Sequence, residues 1–342
     1  CFFGLSMIGL SGCIVIPEQV PAPEAEFVSG PCEVGVYGPE DSFITITRRG
    51  DDVRYRFDDG RSGTVSEEGP LLCGFDSVLI DVETLWKERR IRVTDTVFES
   101  AGTSLAGQLL EPADAGPPTP LVVLAHGSDE LGWIEAVSYP YQFVGRGVSV
   151  FVYDKRGTGQ SAGNYSQNFP ELADDMVAAS AEAKRLAGNR VGRFGIFGFS
   201  QGGWIAPLAA ERSGAEFVGI GYGLVVDILE EDAAQVALDL TEAGYGTDVI
   251  AKATEITDVT ARIAVSSYTD GLEDLDALKE KYGEEEWYPV VRGGFTGVIL
   301  SIPTEELRAN GIPMFDRLNI DWSVKPMEVL REVEVPQLWA LA

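Results

Sequence analysis

Three apolar runs, at 121–125, 148–153 (with one serine, Ser149) and 194–197, each stop at a polar or glycine-bearing turn. Between and after them lie stretches of helical pattern, predicted over 135–146, 170–186 and 201–212. Strands covered on both faces are apolar throughout, and strands joined through helices run parallel. The chain from residue 91 onward is therefore predicted to be an α/β domain with a mainly parallel sheet, opened by a hairpin over 93–98 and 105–110. A last apolar run at 333–342 reads as a further, buried strand. It carries no turn residue or polar tail, and Cys1 opens inside another apolar stretch, so the chain is expected to be a fragment of a longer reading frame.

The third run leads into Gly198-Phe199-Ser200-Gln201-Gly202, a G-x-S-x-G pattern between a strand and a helix. A serine on such a sharp turn stands at a helix N-terminus, where unpaired N–H groups and the dipole favour negative charge. Its hydroxyl needs a positioned base to become a nucleophile. The chain holds one histidine, His126, and it precedes the serine.

Charge excludes several partners. Acidic residues number 54 against 26 basic ones, for a net charge of −28. Nothing there neutralises a row of phosphates, so nucleic acid is not an expected partner. Docking on anionic lipid by charge alone is excluded in the same way. The acidic runs Glu230-Glu231-Asp232, Glu273-Asp274-Leu275-Asp276 and Glu284-Glu285-Glu286 are expected to be solvated helix faces. With no C-x-x-C and a single histidine, no metal site and no cofactor is expected.

The N-terminus carries an address. Leu10-Ser11-Gly12-Cys13 closes an apolar segment and has the form of a lipobox, with small residues before the cysteine that receives the lipid. Residues 1–13 are read as part of a lipoprotein signal and 14–29 as a proline- and glutamate-rich tether. The alternatives are an ordinary secretory signal or a buried helix end. Lipidation at Cys13 would make the protein membrane-anchored rather than membrane-spanning, on the bacterial cell envelope. In that compartment disulfides persist. Cys32 and Cys73 are the two cysteines left to pair, the alternative being two buried thiols. The bridge would close a loop of about 40 residues, worth roughly 3–4 kcal/mol in the chain-entropy model. Residues 30–90 read as a small β-rich module, with alternating strands at 43–47 and 53–57 joined by Arg49-Gly50-Asp51-Asp52, a turn at Asp58-Asp59-Gly60, and a strand at 78–82.

Taken together, His126-Gly127-Ser128 after one strand, Tyr153-Asp154-Lys155-Arg156-Gly157-Thr158-Gly159-Gln160-Ser161 after the next, and the elbow with Gly203 after the third resemble the α/β-hydrolase superfamily. The likeness is to bacterial serine esterases near the prolyl-oligopeptidase and serine-aminopeptidase branches, and it covers residues 92–342. It implies an α/β-hydrolase sheet, lacking its last strand and helix, and a helical cap inserted over 227–325. It also implies carboxylic ester hydrolysis through an acyl-enzyme on Ser200. The Gln201 N–H is expected to face the oxyanion, with the Ser128 N–H as second donor and Gly127 in reserve. His126 is implied to hold the oxyanion loop rather than to act as base. The triad histidine and its acid are expected beyond Ala342, Asp227 being a weak substitute for the acid. Aromatics at Trp287, Tyr288, Phe295, Phe315 and Trp322 belong either to the cap's core or to an acyl pocket.

Two alternatives to esterase action stand: a peptidase of the same fold, and a non-catalytic surface lipoprotein that keeps the fold without its base. Gly157-Thr158-Gly159-Gln160-Ser161-Ala162 also fits a dinucleotide fingerprint, but four residues separate Val152 from the first glycine and no helix is expected after it. A charged turn bracing the floor of the site is the better reading.

Overall fold

The structure, a computed structural model, describes residues 27–341 apart from 67, 224, 317 and 318. Cys13 and the signal segment lie outside the described residues.

Among the described residues seven strands form the main sheet, in the order β14-β13-β12-β10-β11-β9-β8. The hairpin is β8 (Ile91–Ser100) and β9 (Thr103–Pro112), antiparallel to each other, with β9 antiparallel to β11 (Ser149–Tyr153). From β11 the sheet is parallel through β10 (Thr119–Ala125), β12 (Val191–Phe199), β13 (Val218–Gly221) and β14 (Gln337–Ala340). One face packs on α2 (Phe169–Ala187) and α3 (Gly202–Ser213), where Leu121, Phe151, Met176, Ile196 and Ile205 are fully buried. The other packs on α1 (Tyr139–Gly145).

Helix α1 begins four residues later than its apolar pattern predicts. Glu135 sits at φ 61°, its carbonyl accepts the Arg48 N–H at 3.0 Å, and Pro140 marks the first helical turn. β14 also differs from its prediction: it is an edge strand with Leu338 exposed, because nothing among the described residues pairs with its outer side.

The N-terminal module holds two antiparallel sheets. One is β1 (Gly35–Tyr37), β2 (Ile44–Arg49), β3 (Asp52–Phe57) and β4 (Ser62–Thr64); the other is β5 (Leu71–Cys73), β6 (Ser77–Ile80) and β7 (Thr84–Lys87). Ile44, Ile46, Phe57, Leu71 and Val78 pack between them. The structure joins Cys32 to Cys73, with Cα atoms 5.0 Å apart. The opposite face of β2 turns toward the α/β domain, burying Phe43 with Val144 of α1, while Gln142 donates to Thr45 and to the Arg56 carbonyl, each at 3.2 Å. The two parts therefore share an interface.

Between β13 and β14 the chain leaves the sheet for α4 (Ile228–Glu242), α5 (Thr247–Val265), α6 (Leu272–Tyr282), α7 (Thr296–Ser301) and α8 (Thr304–Asp316), returning through α9 (Pro326–Glu332). Trp287 is core here, packed with Tyr282 and Tyr288, and Phe295 meets Trp322 edge-on. The Phe315 side chain lies outside the described residues. Asp232, expected on a solvated face, is buried.

Candidate active site

The elbow is built by close contact. β12 ends at Phe199, Ser200 turns the chain at φ 50°, and α3 starts at Gly202. A Cβ on Gly198 would lie 1.9 Å from the Gly202 carbonyl oxygen, and one on Gly202 would lie 2.5 Å from that of Ala125. No side chain fits at either position, so glycine is required there. A positive φ on serine is strained backbone held by its surroundings. The Ser200 N–H is tied to the Gly221 carbonyl at 2.9 Å, which fixes the turn against β13. Ser200 itself is exposed while Gln201 behind it is buried.

The loop after β10 closes on the serine. A Cβ on Gly127 would stand 3.5 Å from that of Ser200, so Gly127 faces the serine directly. Ser128, next along, is exposed, and its carbonyl accepts the Tyr165 hydroxyl proton. Neither the Gln201 N–H nor the Ser128 N–H is bonded to another group among the described residues. Beside this loop opens a cavity of about 610 Å³ whose lining includes Glu130, Arg156, Tyr165 and, from the cap, Asn319.

His126 is fully buried beneath the loop. Its Nε2 accepts the Lys155 backbone N–H at 3.1 Å, its Nδ1 lies 3.1 Å from the Gly127 carbonyl oxygen, and its ring stacks on Trp133. Burial pushes its pKa down to about 4, against the opposing pull of Asp129. The imidazole is neutral at neutral pH, with one nitrogen against the loop's own backbone and the other against the turn after β11.

Lys155 is the residue that sequence reasoning passed over. Its side chain is buried, with Nζ donating to the Gly127 carbonyl at 2.6 Å and to Gln201 Oε1 at 2.5 Å. One ammonium thus ties the loop after β10 to the residue after Ser200. Burial lowers its pKa to about 8. Arg156, adjacent, forms a bidentate pair with buried Asp175 and a further bond to Glu171. Asp154 accepts N–H bonds from Trp133 at 2.7 Å, Ile134 at 3.2 Å and Gln160 at 2.9 Å. The 154–162 stretch is thus a braced turn under the loop. Asp227 is committed elsewhere: it caps α4 and pairs with Lys325 at 3.1 Å. Among the described residues, no group of His, Cys, Asp and Glu is placed to hold a metal ion.

Residues 116–221 match the family model of the serine aminopeptidases S33. No curated protein matches. Among solved structures, an esterase from Pyrococcus furiosus is 20% identical, with 44% of this chain covering 56% of that one at a TM-score of 0.37. An α/β hydrolase from a Penicillium species, GrgF, is 16% identical over 72% of this chain and 79% of that one, at 0.40. An acylaminoacyl peptidase from Pyrococcus horikoshii is 17% identical over 61% and 33%, at 0.39. The chain thus spans little more than half of the P. furiosus esterase. The sheet order and the elbow between β12 and α3 are those of an α/β-hydrolase fold, and the family match across 116–221 spans β10 to β13 and the elbow itself.

Proposed function

We propose that the protein is a serine hydrolase that cleaves carboxylic esters through an acyl-enzyme on Ser200. The observation that carries this reading is the elbow itself: an exposed serine held at φ 50° at the head of α3, with Gly127 against its Cβ. Ser200 Oγ attacks the acyl carbonyl, and the N–H groups of Gln201 and Ser128, with Gly127 in reserve, receive the oxyanion. The bond to the leaving alcohol breaks, and water then releases the acid from Ser200.

The base is not His126, which is neutral, buried and hydrogen-bonded under the loop. Residues following β14 would be placed to supply the base and its acid. The parallel register supports this. Ala340 pairs with Gly221, which pairs with Phe199, so chain leaving β14 emerges at the same edge of the sheet as Ser200. A peptidase is the second reading, favoured by the aminopeptidase model matched over 116–221.

With the protein expressed from its complete gene, a fluorophosphonate probe is expected to label Ser200, and Ser200→Ala to abolish labelling and turnover of short-chain esters. Labelling that persists in Ser200→Ala, or none in the folded parent, rejects the nucleophile. Faster turnover of aminoacyl amides than of esters makes it a peptidase instead. We also propose anchoring to the bacterial envelope through lipid on Cys13, from the form of Leu10-Ser11-Gly12-Cys13. Fatty-acid incorporation that survives Cys13→Ala refutes it.

A further inference from the structure

The outer face of the β1–β4 sheet gathers positive charge in a strongly acidic protein. On β3, Val53, Tyr55 and Phe57 point to the module's own core, so Arg54 and Arg56 share the opposite face. The register sets Arg56 beside Thr45 and Ser62, and Arg54 beside Thr47 and Thr64, with Arg49 at the end of β2. This face does not open to bulk solvent alone. Residues 136–139 of the α/β domain stand across from it and flank an open cavity of about 450 Å³, lined by all three arginines. That volume suits a small organic molecule.

The charge balance of the cavity is the reverse of the protein's. Acidic residues outnumber basic ones by 54 to 26, yet the lining holds three arginines, several hydroxyls and no carboxylate. Arg54 reaches Asp52 at 3.3 Å, an exposed pair of small value. Among the described residues, Arg49 and Arg56 have no carboxylate within ion-pairing distance. Arg56 lies over the Tyr139 ring, 5.8 Å from its centre. Three guanidinium forks on neighbouring strands repel one another unless an anion joins them, and the fork matches carboxylate and phosphate oxygens bidentately.

We propose that this cavity is a binding site for a small organic anion, held through a carboxylate or phosphate group by Arg49, Arg54 and Arg56. It does not rest on Ser200 being a nucleophile. It does lie close to the elbow: Tyr139, in its wall, stacks on Phe199 with ring centres 4.2 Å apart, and Phe199 precedes Ser200.

Isothermal titration of the full chain with inorganic phosphate, and separately with citrate, tests the site and tells the two chemistries apart. Saturable binding of one equivalent of at least one probe is expected. Arg49→Met and Arg56→Met should each weaken it about tenfold, the usual weight of a charge-assisted contact, and Arg54→Met by less. Arg185→Met, at a Glu182 pair on α2, should leave it unchanged. Ser200→Ala should bind as the parent does, whatever its activity. No saturable heat with either probe overturns the proposal. So does equal binding in a folded Arg49→Met/Arg56→Met variant, which would mean an adventitious ion only. If that variant fails to fold by circular dichroism, Arg56→Lys decides: it keeps the charge but loses the fork, and undiminished binding rejects the site.

Discussion

Asp154, in the turn after β11, and Asp232, on α4 of the cap, are both buried carboxylates that tie distant backbone together. Asp154 takes N–H bonds from Trp133, Ile134 and Gln160. Asp232 takes the Phe295 N–H at 2.7 Å, the Thr296 N–H at 3.1 Å and the Thr296 hydroxyl at 2.6 Å. Each is approached by a glycine that has no room for a side chain. A Cβ on Gly159 would lie 2.1 Å from Asp154 Oδ2, and one on Gly293 would lie 2.5 Å from Asp232 Oδ1. What they brace differs. Asp154 fixes the loop that runs from His126 through Ser128 to Trp133, and so bears on Ser200. Asp232 fixes α4 against α7, and among the described residues no hydrogen bond runs from it to the elbow. The same device serves chemistry in one region and packing in the other.

The largest effect is expected from Asp154→Ala. Of the three N–H groups that lose their acceptor, that of Trp133 is buried and stranded, while those of Ile134 and Gln160 are partly buried, so water can reach them. The stranded donor costs about 1–3 kcal/mol, a sizeable share of a typical domain's stability, and the loop that faces Ser200 loses two further ties with it. Fluorophosphonate labelling of Ser200 should fall with it, because the oxyanion loop loses its brace. Denaturant titration and labelling rates check both. Unchanged labelling in a destabilised variant would erase the distinction drawn between the two carboxylates.

His126 gives a pH signature to the Asp154 side alone. Burial sets its pKa to about 4 in the fold, below the ordinary value of 6.5. Between these values the unfolded chain binds the proton and the folded one does not. Stability from this group is therefore full above pH 6.5 and is lost as pH falls toward 4, below which it stays level. The span corresponds to about 3 kcal/mol. His126→Gln should flatten that part of the stability–pH curve while carboxylate titrations remain. A curve of the same slope in both proteins would mean that the imidazole protonates freely in the fold.

The sequence exposed the elbow and hid the braces, for reasons that particular residues make plain. Gly198, Ser200 and Gly202 are legible because backbone contact at a strand-to-helix turn tolerates no alternative, and the apolar runs before each turn can only be covered strands. The place of the cap is legible through the resemblance, and α4 to α8 fall inside 227–325. Asp232 was not, because in Glu230-Glu231-Asp232 only the packing of α7 decides which carboxylate turns inward. Lys155 was hidden in a charged turn, since its partners, Gly127 and Gln201, are 28 and 46 residues away. The arginine face needed the pairing of β2, β3 and β4, and β4 has three residues.

The smallest effect, and the control for the first, is expected from Asp232→Ala. Its three donors are not equally stranded. The Phe295 N–H is only partly buried, so water can reach it. The Thr296 hydroxyl keeps the Thr260 hydroxyl at 2.7 Å as an alternative partner. Only the buried Thr296 N–H loses its acceptor outright. One orphaned donor costs about 1–3 kcal/mol, and the cost falls on the contact between α4 and α7. The cap should show faster amide exchange over 228–242 and 293–301, while Ser200 labels at the parent rate. If labelling drops as far as in Asp154→Ala, the cap helps to shape the site, and the two carboxylates serve a single function.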